Sequence, residues 1–360
     1  MTSRREAVKY RPMWNRREFA RLASLTAAAM SMGTAAPPAA PAAVRRSPAR
    51  PKRLAAGDTV GLVVPASAAP TMDDIAFAKD QLEAIGLKVV LGKHVYDRWG
   101  YFGGHDRDRA ADINAFFADD AIAGVVCYTG GWGSTRVLPY LDYDLIARKP
   151  KVLIGYSDIT ALINAVYKRS NVVTFHGPVG ASTFEPYTLD NFRRVVMTAT
   201  PAGTLTPPSK RPNELIDRIN RVVKLAPGKA SGRLVGGNLT MVSSVMGTPF
   251  EVDTAGAVVF LEDTHEEPYR VDRMLTQLAL GGKFNGIAAF LWGRCTDCEP
   301  KGSSFSLEEI LRDRLASLGV PALSGLSFGH IEQKLTLPIG VMATVDADAG
   351  TVTIDEAAVQ

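Results

Sequence analysis

"KVLIGYSDITALINAVYKR", Lys151 to Arg169, is the stretch on which the fold and the chemistry of this chain both turn. An apolar, strand-like run stops at Gly155, a lone serine follows Tyr156, and a helical pattern begins at Asp158. Ser157 at that junction has two readings. Serine is a preferred helix N-cap, because its hydroxyl satisfies an otherwise orphaned backbone N–H. A strand–turn–helix with serine at its apex is also how hydrolases expose a nucleophile, the next backbone N–H, here that of Asp158, helping to bind an oxyanion. The hydrolase pattern G-x-S-x-G is incomplete, since Ile159 stands where its last glycine belongs. Local sequence leaves both readings open.

The same alternation continues outward. "DTVGLVVPAS" (58–67), "LKVVLGK" (87–93), "IAGVVCYTGG" (122–131) and "VVTFHGP" (172–178) read as strands. "MDDIAFAKDQLEAIG" (72–86), "RDRAADINAFFADD" (107–120) and "STRVLPYLD" (134–142) read as helices. Alternating strands and helices predict a parallel sheet covered on both faces, with ligands beyond the carboxyl ends of the strands. Three such ends stand out: "PAS" after the first strand, "TGGWGS" (129–134) and "GYSD" (155–158). Past about Phe184 the pattern loosens, and "TPAGTLTPPSKRPN" (200–213) reads as a connection. A second unit starts near Ala230, with strands at "GRLVGG", "GAVVFLED" and "GIAAFLWGR" and a helix at "PYRVDRMLTQLALGG". "SLEEILRDRLASLG" (306–319) opens with a Ser-x-x-Glu start, and a hairpin is expected at Asp348–Gly350.

The 360 residues are 46% hydrophobic and 22% charged, an ordinary globular balance that is enough for two modest domains. The net charge of +4 comes from the front: residues 1–43 hold seven Lys/Arg against two acids, leaving the remainder near −1. No later stretch is a basic stripe interleaved with aromatics, so nucleic acid is not expected as a partner. The adjacent Arg16 and Arg17, with Phe19 beyond them, precede a mildly apolar, uncharged run and then small residues and prolines. That order resembles a twin-arginine export signal, which implies a periplasmic location and no stable membrane insertion once the signal is removed. Residues 44–54 read as a disordered spacer. Three cysteines are too few for a disulfide framework; Cys295 and Cys298 form a C-x-x-C pair able to oxidise after export.

A serine nucleophile needs a base, and the base an orienting acid. Five histidines are available. His330 lies in a loop, where a functional histidine is at home. His176 ends a strand and reads as a packed polar residue. His265 sits among Glu262, Glu266 and Glu267 on a solvated turn, and lacks the H-E-x-x-H spacing of a zinc site. Glu262 directly follows "AVVFL", and a carboxylate at the end of a buried strand needs a partner; the other reading is a surface acid flanking a helix. The Gly130–Gly131 turn lets backbone N–H groups approach a ligand, or is simply a tight turn.

Together, "CYTGGWGSTRVLPYLDYDLI", "KVLIGYSDITALINAVY" with "VTFHGPV", "GRLVGGNLTMVSSVMGTPF", "VVFLEDTHEEPYRVDRMLTQL" and "GHIEQKLTLPIG" resemble the successive blocks of the LD-carboxypeptidases. These are serine peptidases whose relatives include the microcin C immunity peptidases, and the likeness covers residues 56–355. The resemblance implies an α/β fold. An N-terminal parallel-sheet domain, flavodoxin- or glutamine-amidotransferase-like, at 55–183 carries the nucleophile; a connection at 184–229 leads to a smaller α+β domain at 230–360 carrying the Glu and the His. It implies a Ser157–His330–Glu262 triad, oxyanion donors at Asp158 and in the Gly130–Gly131 turn, and Asn238 at the substrate pocket. It implies a murein tetrapeptide as substrate, a homodimer, and no metal or cofactor. Two further readings keep the cleft and change its use: cleavage of a peptidyl- or aminoacyl-nucleotide amide, and binding of murein peptides without turnover. Two departures bear on the pocket. Thr129 stands where an arginine is common, and Ile331–Glu332–Gln333–Lys334 replace a segment that often carries a small Gly and an Asn.

Overall fold

The computed structural model describes residues 47–210, 215–217, 219–315 and 318–360. The export signal expected at 1–43 and the start of the spacer lie outside the described residues. The first half supplies β1 (Thr59–Val63), β2 (Lys88–Leu91), β3 (Ile122–Cys127), β4 (Val152–Gly155) and β5 (Thr174–His176). These five are parallel, in the order β5-β4-β3-β1-β2. Val125, Val126, Leu153 and Ile154 are almost wholly buried, as a strand covered on both faces requires. The order reverses between β1 and β3, which opens a crevice at their carboxyl ends.

The remaining strands are β6 (Gly203–Thr204), β7 (Val223–Ala226), β8 (Lys229–Asn238), β9 (Ala257–Thr264), β10 (Ala289–Thr296), β11 (Ala322–Ser324), β12 (Leu337–Ile339), β13 (Met342–Asp346) and β14 (Thr351–Ile354). All but β12 form a second, mixed sheet, β6-β14-β13-β8-β9-β10-β11-β7. Its centre, β8 to β11, is parallel, and β13–β14 is the hairpin expected around Asp348–Gly350. The stretch read as a connection supplies both edges of this sheet, β6 and β7. The Ser-x-x-Glu start is a reciprocal cap: Ser306 N–H donates to Glu309 Oε2 (2.8 Å) and Glu309 N–H to Ser306 Oγ (3.3 Å).

Two features join the sheets. The helix Ile159–Ser170 is buried on nearly every face and lies against β8, where Asn164 Nδ2 donates to Gly236 O at 2.8 Å. Gly237 permits this approach: its φ is +131°, and a Cβ there would stand 2.6 Å from Thr160 Oγ1. Secondly, β12 leaves the C-terminal half and pairs antiparallel with β5, in register Leu337 with His176. That crossing brings the loop before β12, which contains His330, to the carboxyl ends of β4 and β5.

The expected spacer is corrected in its described part. Ala49 N–H donates to Asn171 O (2.7 Å), Leu54 N–H to Val196 O (2.9 Å) and Arg53 N–H to Gln360 O (2.9 Å), and Leu54 is wholly buried. Its prolines and arginines read as disorder because its partners lie far away in sequence. No helix among the described residues is long and apolar enough to cross a membrane.

Candidate active site

Ser157 sits between β4 and the helix Ile159–Ser170 with φ +64°, a left-handed conformation that is strained for a residue with a Cβ. It does not cap the helix with its side chain. The N-cap residue is Asp158, which has no side-chain cap bond, and the Thr160 N–H is taken by the Ser157 backbone carbonyl at 2.9 Å. The hydroxyl points elsewhere, to His330 Nε2 at 2.8 Å. His330 Nδ1 lies 2.8 Å from Glu262 Oε2. An ionised carboxylate can only accept, so Nδ1 carries the proton and Nε2 accepts from the Ser157 hydroxyl.

Glu262 is wholly buried near the end of β9, not a surface acid. Burial alone would raise its pKa; the imidazoles of His176 and His330 outweigh burial and hold it at about 2. Because folding lowers this pKa, ionised Glu262 contributes stability that is complete above the ordinary carboxylate range and is lost as the pH falls toward 2.

The glycine turn after β3 faces this serine. Ser67, from the "PAS" end of β1, grips it twice: Ser67 N–H donates to Gly130 O (3.2 Å), and Trp132 N–H donates to Ser67 Oγ (3.0 Å). A Cβ on Gly130 would lie 2.9 Å from Ser157 Oγ and 3.1 Å from the backbone N of Asp158. The glycine turn and the serine turn thus approach so closely that any side chain at position 130 would press on Ser157. The Asp158 carboxylate accepts from the Ser134 N–H at 2.7 Å, which ties the far end of the glycine turn to the serine turn. Buried Arg109 adds a further tie, donating to the carbonyls of Pro65 and of Gly133 (3.0 Å) and pairing with Asp106 at 2.6 Å. Sequence reasoning assigned no role to Ser67 or Arg109. An arginine inside "RDRAADINAFF" shows no sign of being the buried one.

A cleft of about 460 Å³ opens at Ser157, with Gly131 and Trp132 on one side and Asn238, Thr240 and Glu266 on another. Asn238 is 5% exposed, and its side chain is largely committed: Nδ2 donates to Asp263 Oδ1 (2.9 Å) and Oδ1 accepts the Met241 N–H (3.1 Å). It shapes the wall by capping the helix Leu239–Ser244. His265 is exposed and pairs with Asp297 at 3.1 Å, as a solvated turn predicts. Cys295 and Cys298 are bonded to each other. Among the described residues, His94, Asp97 and Asp108 bring metal-ligand atoms within 4.8 Å of one another, but none of them lines the cleft.

The departure segment lies behind the triad. Lys334 is 6% exposed, donates to the Tyr156 hydroxyl at 3.2 Å and sits over that ring. Tyr156 in turn packs edge-on against His330. Burial pushes the Lys334 ammonium down to about 8, against the pull of Glu262, Glu185 and Glu332. A lysine whose pKa falls on folding destabilises the native state fully below its folded value, and this is relieved as the pH rises from about 8 toward its ordinary value of 10.5. Lys334→Met is therefore expected to stabilise the protein by roughly 1–3 kcal/mol at pH 7 and by much less at pH 10. Urea unfolding at the two pH values checks this, and an equal effect at both would contradict it.

Known families match this arrangement along most of the chain. The LD-carboxypeptidase N-terminal domain matches residues 60–177, and the LD-carboxypeptidase C-terminal domain matches residues 231–345. The probable murein peptide carboxypeptidase of Bacillus subtilis (strain 168) is 39% identical over 313 residues, spanning 85% of this chain and 94% of that protein. The murein tetrapeptide carboxypeptidase of Pseudomonas aeruginosa is 33% identical over 296 residues, 80% of this chain and 93% of its own. Among solved structures, the microcin C7 self-immunity protein MccF in its wild-type apo state aligns with a TM-score of 0.79 at 28% identity, over 87% of this chain and 100% of the other. At these identities and coverages, the chain belongs to the LD-carboxypeptidase family of serine peptidases.

Proposed function

We propose that this protein is an exported serine carboxypeptidase that removes the terminal D-Ala of murein tetrapeptides. The observation that carries the reading is the unbroken chain from Ser157 Oγ through His330 to buried Glu262 at the mouth of the cleft. His330 takes the serine proton as Oγ attacks the carbonyl carbon of the amide before D-Ala. Glu262 orients the imidazole and stabilises the imidazolium. The backbone N–H of Asp158 and one from the Gly130–Gly131 turn receive the developing oxyanion. His330 then protonates the departing amine, and water, deprotonated by the same imidazole, releases the acyl group. The names of the Bacillus and Pseudomonas relatives support murein peptide as the substrate class. Release of D-Ala from a purified tetrapeptide, followed by mass spectrometry, is the expected result; no release would sink the proposal.

A second substrate class, the amide of a peptidyl- or aminoacyl-nucleotide, is supported by the structural likeness to MccF, which has been solved in complex with glutamyl sulfamoyl guanosine and with aspartyl sulfamoyl adenosine. Assaying both substrates side by side separates the two, since kcat/KM should favour the tetrapeptide. Murein lies outside the cytoplasm, so export directed by Arg16 and Arg17 belongs to the first reading. Retention of an R16K/R17K variant in the cytoplasm is expected, and unchanged export would remove that part of it.

A further inference from the structure

His176 is a buried imidazole that the triad does not use and whose surroundings are not explained by packing alone. It ends β5, in register with Gly155 of β4 and Leu337 of β12, and its side chain reaches toward β9 of the other sheet. The ring is 1% exposed and is held edge-on by Phe260, Phe328 and Tyr156. Among the described residues neither ring nitrogen has a hydrogen-bond partner, and neither does Glu262 Oε1, although all three atoms are buried. His176 Nε2 and Glu262 Oε1 face each other at 3.7 Å. The second carboxylate oxygen, Oε2, is already taken by His330.

Two complementary orphans at that separation have one economical solution. A neutral imidazole carries its proton on one nitrogen or the other. On Nδ1 it would leave both the N–H and the carboxylate oxygen unsatisfied in a buried site, a penalty typical of stranded polar groups. On Nε2 it points at Oε1, and closing the gap to hydrogen-bond length takes a movement of about 0.8 Å. Active-site hydrogen bonds that are long in the free enzyme commonly tighten when charge develops. We propose that His176, as its Nε2–H tautomer, is a positioning residue that grips the second oxygen of Glu262 and so holds the carboxylate in plane with His330. The inference rests on the triad reading above. It makes the support of the catalytic base a four-membered chain, with one imidazole on each oxygen of a single glutamate.

The groups that face Glu262 set the direction of the pH effect. His330 and Lys334 come from the loop before β12, His176 from β5, Tyr156 from the serine turn and Asp263 from β9 itself. Removing the His176 donor makes Glu262 more basic. It then binds the His330 proton more strongly, and its own protonation begins at higher pH. Both changes move the acid limb of kcat/KM upward.

The test uses the full chain and two variants. His176→Phe keeps an apolar ring of similar volume without a donor; His176→Gln returns an N–H. The Phe variant is expected to lose roughly 10- to 100-fold in kcat, with KM within about twofold and the acid limb moved to higher pH. The Gln variant should recover most of the rate and the wild-type limb. Equal losses in both variants with an unmoved limb would reduce His176 to a packing residue and overturn the proposal, as would a Phe variant that works normally. Failure of the triad reading itself is recognised separately, by a Glu262→Gln variant that keeps its activity. If the variants do not fold, 15N chemical shifts of the wild-type imidazole decide: a proton on Nε2 supports the proposal and a proton on Nδ1 overturns it.

Discussion

Ser157→Ala is expected to lower kcat on the tetrapeptide by about 10⁶-fold, the scale seen when a serine nucleophile is removed from an otherwise intact triad. Ser157 Oγ has His330 Nε2 at 2.8 Å, and among the described residues no other hydroxyl bonds that nitrogen. Substrate binding should survive, because the walls contributed by Trp132, Asn238 and Thr240 are untouched. The backbone makes a second, opposite prediction at the same position. At φ +64° a Cβ is strained, whether it belongs to serine or to alanine. Ser157→Gly should therefore be equally inactive yet more stable than Ser157→Ala by about 1 kcal/mol. Product release and thermal melting of the pair check both halves. Residual activity above about one percent would remove Ser157 from the chemistry, and a less stable glycine variant would show that the turn is not strained.

Gly130→Ala carries the second large effect and tests the oxyanion pocket without replacing a member of the triad. A methyl group there would stand 2.7 Å from Ser157 Cβ, 2.9 Å from its Oγ and 3.1 Å from the Asp158 backbone nitrogen. The serine cannot give way, being held by the turn and by His330. The glycine turn must move instead, and Ser67 and the Asp158 carboxylate hold it on both sides. Misplacing one oxyanion donor typically lowers kcat by 10²–10³-fold, or about 3–4 kcal/mol of transition-state stabilisation. The expected result is a loss of that size in a protein that still folds, its melting temperature lowered by the strain of moving the turn. A variant within threefold of wild type would exclude the Gly130 turn from the reaction.

How much of this was legible beforehand follows from the range of each interaction. Strands with runs such as "GLVV" and helices such as "MDDIAFAKDQLEA" announce themselves because their periodicity is local, and the hairpin near Asp348 is a short-range event. The stretch 47–54 misled for the converse reason: its order comes from bonds to Asn171, Val196 and Gln360, and nothing in "SPARPKRL" refers to them. Ser67, Arg109 and His176 were passed over on similar grounds. Each is an ordinary residue at a strand end or in a helix, and becomes notable only once the opposing loop or sheet is in place.

By itself, the sequence determined a strand–serine–helix junction, a glycine turn after the preceding strand, and three histidines competing for one role. These are statements about neighbours along the chain. Choosing His330 from residue types alone was not possible, and the family resemblance made that choice. Tertiary structure supplied the contacts that such a role requires. His330 reaches a glutamate 68 residues away and a serine 173 residues away only because β12 crosses to pair with β5. It also decided that Ser157 is no helix cap. A hydroxyl can bond the helix or the imidazole, and a positive φ, which the letters do not display, turns it to the imidazole.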